Sequence, residues 1–368
     1  MTEWREFKLG DICTIIQYGY TESATFDPVG PKFLRITDIV PNIIDWSTVP
    51  YCKIDKENYE KYKLDVGDIV IARTGATTGY NKRIKDSINA VFASYLIRFK
   101  INKEIADDCF ISYVLKSDSY FGFIDNAVGG SAQPGINARV LSQFSFLLPP
   151  LPEQKAIADV LSSLDDKIDL LTRQNETLED LAQAYFRKWF IEDASDKWEE
   201  IPLGQLFVIS SGKGLKKEKF TEHGQYRVLG ANGEIGKTNE YLFNERLIYT
   251  GRVGTLGNVF IVDREPVWLS DNTLVFRNIK YFFFVYFSLK WANLADYNVG
   301  STQPLIRQSD IKEIRVFMPD KERLDSFENL ANSIFAKINS NQKQIQLLQK
   351  LRDTLLPKLI SGEIRVKM

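Results

Sequence analysis

The chain holds one histidine, His223, and three cysteines, Cys13, Cys52 and Cys109, in 368 residues. A lone histidine in a polar stretch, between Glu222 and Gly224, leaves no Ser/His/Asp or Cys/His set to assemble around it. The cysteines have no CxxC spacing and lie in the first third of the chain. That pattern argues against a zinc cluster, and the odd count against a disulfide framework, so a reducing cytosol is the expected setting. Long apolar runs are also missing: the longest, 281–289, is about half of what a membrane span needs. The opening Met1-Thr2-Glu3-Trp4-Arg5-Glu6 has no signal-peptide pattern. Neither sign of charge is in excess, with 47 Lys+Arg against 48 Asp+Glu. Any contact with nucleic acid must then come from local patches. What remains is an ordinary globular composition, 44% apolar and 26% charged, on a chain long enough for two or three domains.

Two stretches stand out by period. Ile157, Leu161, Leu164, Ile168, Leu171, Asn175, Leu178, Ala182, Tyr185 and Trp189 alternate by fours and threes, the seam of a long coiled-coil helix. Phe327, Ala331, Ile334, Ile338, Asn341, Ile345, Leu348, Arg352 and Leu355 form a second such seam, about 170 residues on. Two long helices, each wanting an apolar partner, are expected to pair with each other. Each seam carries one Asn, Asn175 and Asn341, of the kind that sets register at a cost in stability. Residues 151–196 carry 11 acidic and 5 basic side chains, and residues 319–368 carry 9 basic and 6 acidic ones, a weak contribution to pairing. The carboxylate pairs Asp107-Asp108 and Asp165-Asp166 read as solvated helix faces.

The rest of the chain is doubled too. Trp4 to Gly10 matches Trp198 to Gly204, and Gly130-Ser131-Ala132-Gln133-Pro134-Gly135-Ile136 matches Gly300-Ser301-Thr302-Gln303-Pro304-Leu305-Ile306. The ends of the two units correspond and their middles diverge. Short apolar strands are expected at 68–72 and 246–249, each running into an Arg-x-Gly turn, at Arg73 and Arg252, which the pattern places on tight, mobile connections. Further strands are expected at 90–99 and 268–276, and helices at 107–117 and 282–294. The fold class is α+β. Residues 231–238, Ala-Asn-Gly-Glu-Ile-Gly-Lys-Thr, mimic a phosphate loop, but no helical period follows, and a β-turn fits better. No G-x-G-x-x-G opens a helix, and no Asp/Asn-Pro-Pro-aromatic tetrapeptide suggests an amino-methyltransferase.

Two diverged globular units on a duplicated helical rod, without a catalytic set, resemble the specificity subunit of Type I restriction–modification enzymes. Pro149-Pro150-Leu151-Pro152-Glu153-Gln154 and 181–190, Leu-Ala-Gln-Ala-Tyr-Phe-Arg-Lys-Trp-Phe, look like that family's central repeated region. Leu355 to Glu363 looks like its C-terminal copy, and Gly230-Ala231-Asn232-Gly233 with 238–243 resembles a stretch common in its target recognition domains. The resemblance spans the chain; residues 1–150 are the less typical part, and Asp320-Lys321-Glu322-Arg323 departs from the Pro-Leu-Pro-Glu-Gln of the first copy.

The resemblance implies two similar target recognition domains, residues 1–150 and 193–318, separated by two long antiparallel coiled-coil helices, residues 151–192 and 319–368, in a pseudo-twofold internal repeat. Each domain would read one half of a split site on double-stranded DNA, and the helices would set the spacer. Two methylation subunits would dock, restriction subunits would join them, and those partners would carry the S-adenosylmethionine and ATP sites. This chain would bind no cofactor or metal of its own, catalyse nothing and reside in a bacterial or archaeal cytoplasm. Base reading and phosphate contact draw on Arg, Lys, Asn, Gln, Thr and Ser at groove-facing turns. The candidates are Gln17, Tyr18, Arg73, Thr74, Thr77, Tyr80, Lys82, Arg83, Ser131 and Gln133 in the first unit. In the second they are Lys213, Lys216, Lys217, Arg252, Thr255, Asn258, Ser301 and Gln303. For Ser131, Gln133, Ser301 and Gln303 a role in turn structure is an equal reading. The competing function is a non-enzymatic coiled-coil scaffold that binds proteins; a nucleotide-dependent enzyme would rest on Gly236-Lys237-Thr238 alone.

Overall fold

The computed structural model describes residues 4–129 and 135–366. They form two compact units, Met1–Thr172 with Gln342–Met368, and Arg173–Asn341. This division cuts across both long helices, because each globular part buries one stretch of each helix in its own core.

The first unit contains β1 (Arg5–Lys8), β2 (Cys13–Tyr18), β3 (Lys32–Leu34), β4 (Ile69–Ala72), β5 (Asn81–Arg83), β6 (Ala90–Phe92), β7 (Leu96–Ile101) and β8 (Ser145–Leu148). Its helices are α1 (Ile36–Ile39), α2 (Lys56–Tyr62), α3 (Asp108–Val114), α4 (Asp118–Val128) and α5 (Ala138–Leu141), followed by the start of α6 (Leu151–Arg187). A four-stranded antiparallel sheet runs β2-β7-β4-β5, while β3 and β6 pair in parallel and β1 pairs with β8. The Ile-Val-Ile-Ala run of β4 is buried throughout, as an internal strand requires. Arg98, in the middle of the sheet, is 4% exposed. It meets Asp68 at 3.3 Å and donates to the carbonyls of Lys61 and Lys63, so the buried charge is paired and hydrogen-bonded. Phe99, Phe110, Tyr120 and Leu141 share one core with Ile157 and Leu161 of α6 and with Leu359 near the chain's other end.

The second unit repeats the plan with β9 (Glu199–Pro202), β10 (Val208–Ser211), β11 (Tyr226–Gly230), β12 (Gly233–Thr238), β13 (Leu247–Gly251), β14 (Val259–Val262), β15 (Val267–Leu269), β16 (Thr273–Arg277) and β17 (Arg315–Met318). Its helices are α7 (Phe282–Trp291) and α8 (Gln308–Lys312), with the start of α9 (Lys321–Ile360). The sheet order β10-β16-β13-β14 reproduces that of the first unit, β11 and β15 replace the parallel pair, and β17 pairs with β9. The apolar run at 281–289 is accounted for by α7, whose residues 282–289 are all buried. Glu328 supplies the missing cap of α7, accepting the N–H groups of Phe283 and Phe284 at 2.7 and 2.9 Å. No helix among the described residues is long and apolar enough to cross a membrane.

The long helices pair antiparallel within each unit. In the first, Arg352 donates to Asp165 at 2.8 Å. In the second, the buried Asn341 donates to Asn175 at 2.8 Å and to Gln174 at 2.9 Å, and Arg323 donates to the Trp189 carbonyl. The helix α9 continues through Pro357 to Ile360.

Several expectations are corrected. The first seam leaves Tyr185 exposed and continues from Ala182 to Phe186 and Phe190, a spacing of four that keeps the aromatic rings on the core side. The strands expected at 90–99 and 268–276 are each two strands, because the chain switches there from the parallel pair to the antiparallel sheet. In each carboxylate pair one member is not on a solvated face, while Asp166 stays exposed as expected. Asp108 is 7% exposed and paired with Arg83, and Asp165 accepts from both Tyr113 and Arg352.

Candidate nucleic-acid interface

The two Arg-x-Gly turns occupy the same place in their respective sheets. Arg73 follows β4 and Arg252 follows β13, the third strand of each four-stranded sheet. Neither is a loose connection. The Arg73 N–H donates to the Tyr95 carbonyl at 3.0 Å, and its carbonyl accepts from Ile136 at 2.8 Å. The Arg252 N–H donates to the Asn272 carbonyl at 2.8 Å, and its carbonyl accepts from Ile306 at 3.0 Å. Gly75 and Gly254, at φ +80° and +86°, let each chain turn back immediately afterwards.

Around Arg73 the structure brings together Tyr18, Thr74 and Thr77. The guanidinium lies 4.9 Å from the Tyr18 ring centroid, and the Tyr18 hydroxyl accepts the Ala138 N–H at 3.0 Å. Thr74 and Thr77 are partly exposed on the turn, and Tyr80 is exposed just beyond it. Around Arg252 lie Ser211 and Gln308: Arg252 Nη1 is 3.4 Å from Ser211 Oγ, and Gln308 Nε2 donates to that oxygen at 3.1 Å. Thr255 is exposed on the same turn, and the exposed Asn258 donates to Asn232 at 2.7 Å. Lys213, Lys216 and Lys217 stand exposed just past the end of β10.

Other candidates are committed inward. Gln17 accepts a hydrogen bond from Arg98, and Arg83 is ion-paired with Asp108. Lys82 donates to the carbonyls of Pro41 and Asn42 at 2.6 and 2.9 Å. Lys82 and Arg83 line a cavity of about 650 Å³ whose far wall includes Asp165 and Arg352. Burial, with the Lys116 and Lys85 ammonium groups nearby, pushes Lys82 down to about 8. A lysine already satisfied by two carbonyls and facing a walled cavity is poorly placed to meet DNA phosphate.

Ser301 and Gln303 are exposed, and their loop is held from within: Asn298 Oδ1 accepts the N–H groups of Gly300 and Leu305 at 3.0 Å. A Cβ on Gly300 would fall 1.9 Å from the Gln303 carbonyl oxygen, which accounts for the glycine. Ser131 and Gln133 lie outside the described residues. The pattern had not singled out Ser211, Asn272, Gln308, Tyr95 and Ala138. These positions are brought together by strand pairing and by the first residues of α5 and α8, and the one local signal was the Gly that follows Tyr18 and Ser211. Among the described residues no cluster of His, Cys, Asp and Glu is placed to hold a metal ion. The phosphate-loop look-alike is the antiparallel pair β11–β12, with no helix at its end.

A family model described as the type I restriction modification DNA specificity domain matches residues 1–180 and 195–353. The type I restriction enzyme MjaIX specificity subunit of Methanocaldococcus jannaschii is 28% identical over 349 residues, covering 83% of this chain and 77% of that protein. The type I restriction enzyme HindI specificity subunit of Haemophilus influenzae is 23% identical over 464 residues, covering 99% of this chain and 100% of the relative. The crystal structure of a type I restriction-modification S subunit from M. genitalium has the same fold, with a TM-score of 0.63 at 20% identity, over 100% of this chain and 97% of that one.

Proposed function

Because this chain belongs to the type I restriction modification DNA specificity family, we propose that each of its units reads one half of a bipartite site on duplex DNA. The observation that carries the reading is the matched pair of arginine turns. The same backbone bonds hold Arg73 and Arg252 at the same strand end of two sheets with the same order. A repeated frame with different surroundings is what two different half-sites require. Thr74, Thr77, Thr255 and the lysines past β10 would supply further phosphate and base contacts.

The long helices would set the number of unread base pairs and dock two methylation subunits, which restriction subunits would then join. Leu181 and Leu351, equivalent in the repeat, are both 44% exposed on the helices, and large apolar side chains left open at matched places suit a pair of identical partners. S-adenosylmethionine and ATP would bind in those partners, in the cytoplasm. Purified chain freed of partner subunits is expected to turn over neither; turnover that persists through that purification would refute a non-catalytic role.

The decisive experiment lengthens the helices. One heptad is inserted into each, after Thr172 and after Asn341, so that the antiparallel seam stays in phase. Seven residues add about 10 Å of helix, about three base pairs at 3.4 Å each. Methylome sequencing of a host expressing the variant with its methylation subunit should show both half-sites unchanged and the spacer longer. An unchanged spacer in an active variant would show that the helices are not the ruler. A wild-type complex that selects no DNA sequence at all would favour the protein scaffold.

A further inference from the structure

Three positions correspond one to one around each arginine. Tyr18 and Ser211 end the first strand of their sheets, opposite Ile97 and Leu274. Tyr95 and Asn272 offer the carbonyls that receive the arginine N–H groups. Ala138 and Gln308 open α5 and α8 and bond to Tyr18 and Ser211 respectively. The arginine is the same in both units, and the other three positions differ in every case.

The guanidinium itself is constrained. In both Arg73 and Arg252 the Nε atom is buried without a hydrogen-bond partner among the described residues. With that edge walled off, a ligand can be met only by the terminal Nη pair. Two adjacent donors suit the O6 and N7 of guanine, or the two oxygens of a phosphate. The surroundings decide between them. Every half-site presents the same phosphates, so a phosphate contact gives no reason for the trio around it to change. Base pairs do differ between half-sites. The first trio offers two exposed phenol rings, Tyr18 at 39% and Tyr95 at 61%, which suit the methyl face of thymine. The second offers the amides of Asn272 and Gln308, which suit adenine N6 and N7.

We infer that Arg73 and Arg252 each read a guanine in their own half-site, and that Tyr18–Tyr95–Ala138 and Ser211–Asn272–Gln308 select the base pairs beside it. This rests on the proposal that each unit reads one half-site.

The test uses the full chain with its methylation subunits and a duplex library randomised across both half-sites. The wild-type complex should select a bipartite site with a G·C pair in each half. Arg252→Lys keeps the charge that a phosphate needs and loses the two-pronged edge that guanine needs. It should lower discrimination at one G·C pair of one half-site on the order of 10- to 100-fold, the size of one bidentate base contact, and leave the other half-site untouched. Gln308→Ala and Asn272→Tyr should each change the preference at a pair next to that guanine. Uniform weakening by Arg252→Lys without a change of preference would assign the arginine to phosphate and overturn the inference. So would a selected site lacking G·C in either half. Should Arg252→Lys fail to assemble, Gln308→Ala decides: an unaltered preference overturns the role of the trio. A wild-type complex that selects no site would instead sink the half-site proposal beneath it.

Discussion

Phe327→Ala should destabilise the second unit by about 3–5 kcal/mol, the range for removing a buried aromatic ring. Phe327 is 0% exposed. Its ring centroid lies 5.0 Å from that of Phe190, 6.0 Å from those of Phe186 and Phe287, and 6.2 Å from that of Trp189. These rings come from α6, the turn that follows it, and α7, and α9 meets them through Phe327. One truncation therefore opens a void where three elements meet, and packed helices relax little around such a void. Hydrogen exchange read on peptides of residues 173–341 should show protection falling across α7 and β16 together. A loss below about 1 kcal/mol would mean the site collapses, and that the aromatic cluster is not what holds this globular part to its helices.

The first unit solves the same problem with charge, and the expected result there depends on pH. Asp165 accepts from Tyr113 at 2.8 Å and from Arg352 at 2.8 Å; its equivalent in the repeat is Phe335, which packs on Phe283 at 4.6 Å between centroids. Burial opposes the Asp165 charge. The Arg352 hydrogen bond, the Lys116 charge and the Tyr113 hydroxyl outweigh it and hold the carboxyl below its ordinary value. A carboxyl depressed on folding adds stability that is present above its unfolded value, near pH 4. That stability is lost as pH falls through the lower folded value. Asp165→Asn should therefore cost the first unit about 2–3 kcal/mol at neutral pH, as expected for losing charged hydrogen bonds in a mostly buried place. The gap between variant and wild type should narrow as pH falls through the lowered folded value of Asp165. Urea unfolding at pH 7 and at pH 3, followed by exchange on peptides of residues 90–129, would measure both. A gap that persists in acid would mean that the side chain's shape, not its charge, carries the effect.

Much of the frame was legible in the sequence because its signals are local and repeated. The seams from Ile157 and from Phe327, the strand before each arginine, and the buried helix at 282–291 all follow from spacing and apolar runs. What escaped was set by long-range pairing. Asp165 and Asp108 look like surface acids until Arg352 and Arg83, far away in the chain, are placed against them. Lys82 and Arg83 look like a basic patch at a turn until Asn42 and Asp108 take them up. The trio beside each arginine draws on three separate stretches, so no motif marks it. The switch at Ala93–Tyr95 from one sheet to the other was hidden because both strands are apolar and the turn between them is short.

The division of the chain also orders its assembly in time. The second unit is one contiguous stretch, 173–341, whereas the first needs residues 342–368 to supply Leu355, Leu356 and Leu359 to a core begun by residues 9–161. On the ribosome, domains ordinarily complete in the order in which they emerge. Here the earlier half must wait with an unfinished core, across a loop as long as the whole second unit, while the later half has all its parts first. The entropic cost of that closure grows only slowly with loop length and falls sharply once the second unit is compact. Synthesis thus favours an inverted sequence, in which the middle of the chain folds first and draws the last helix back to its start.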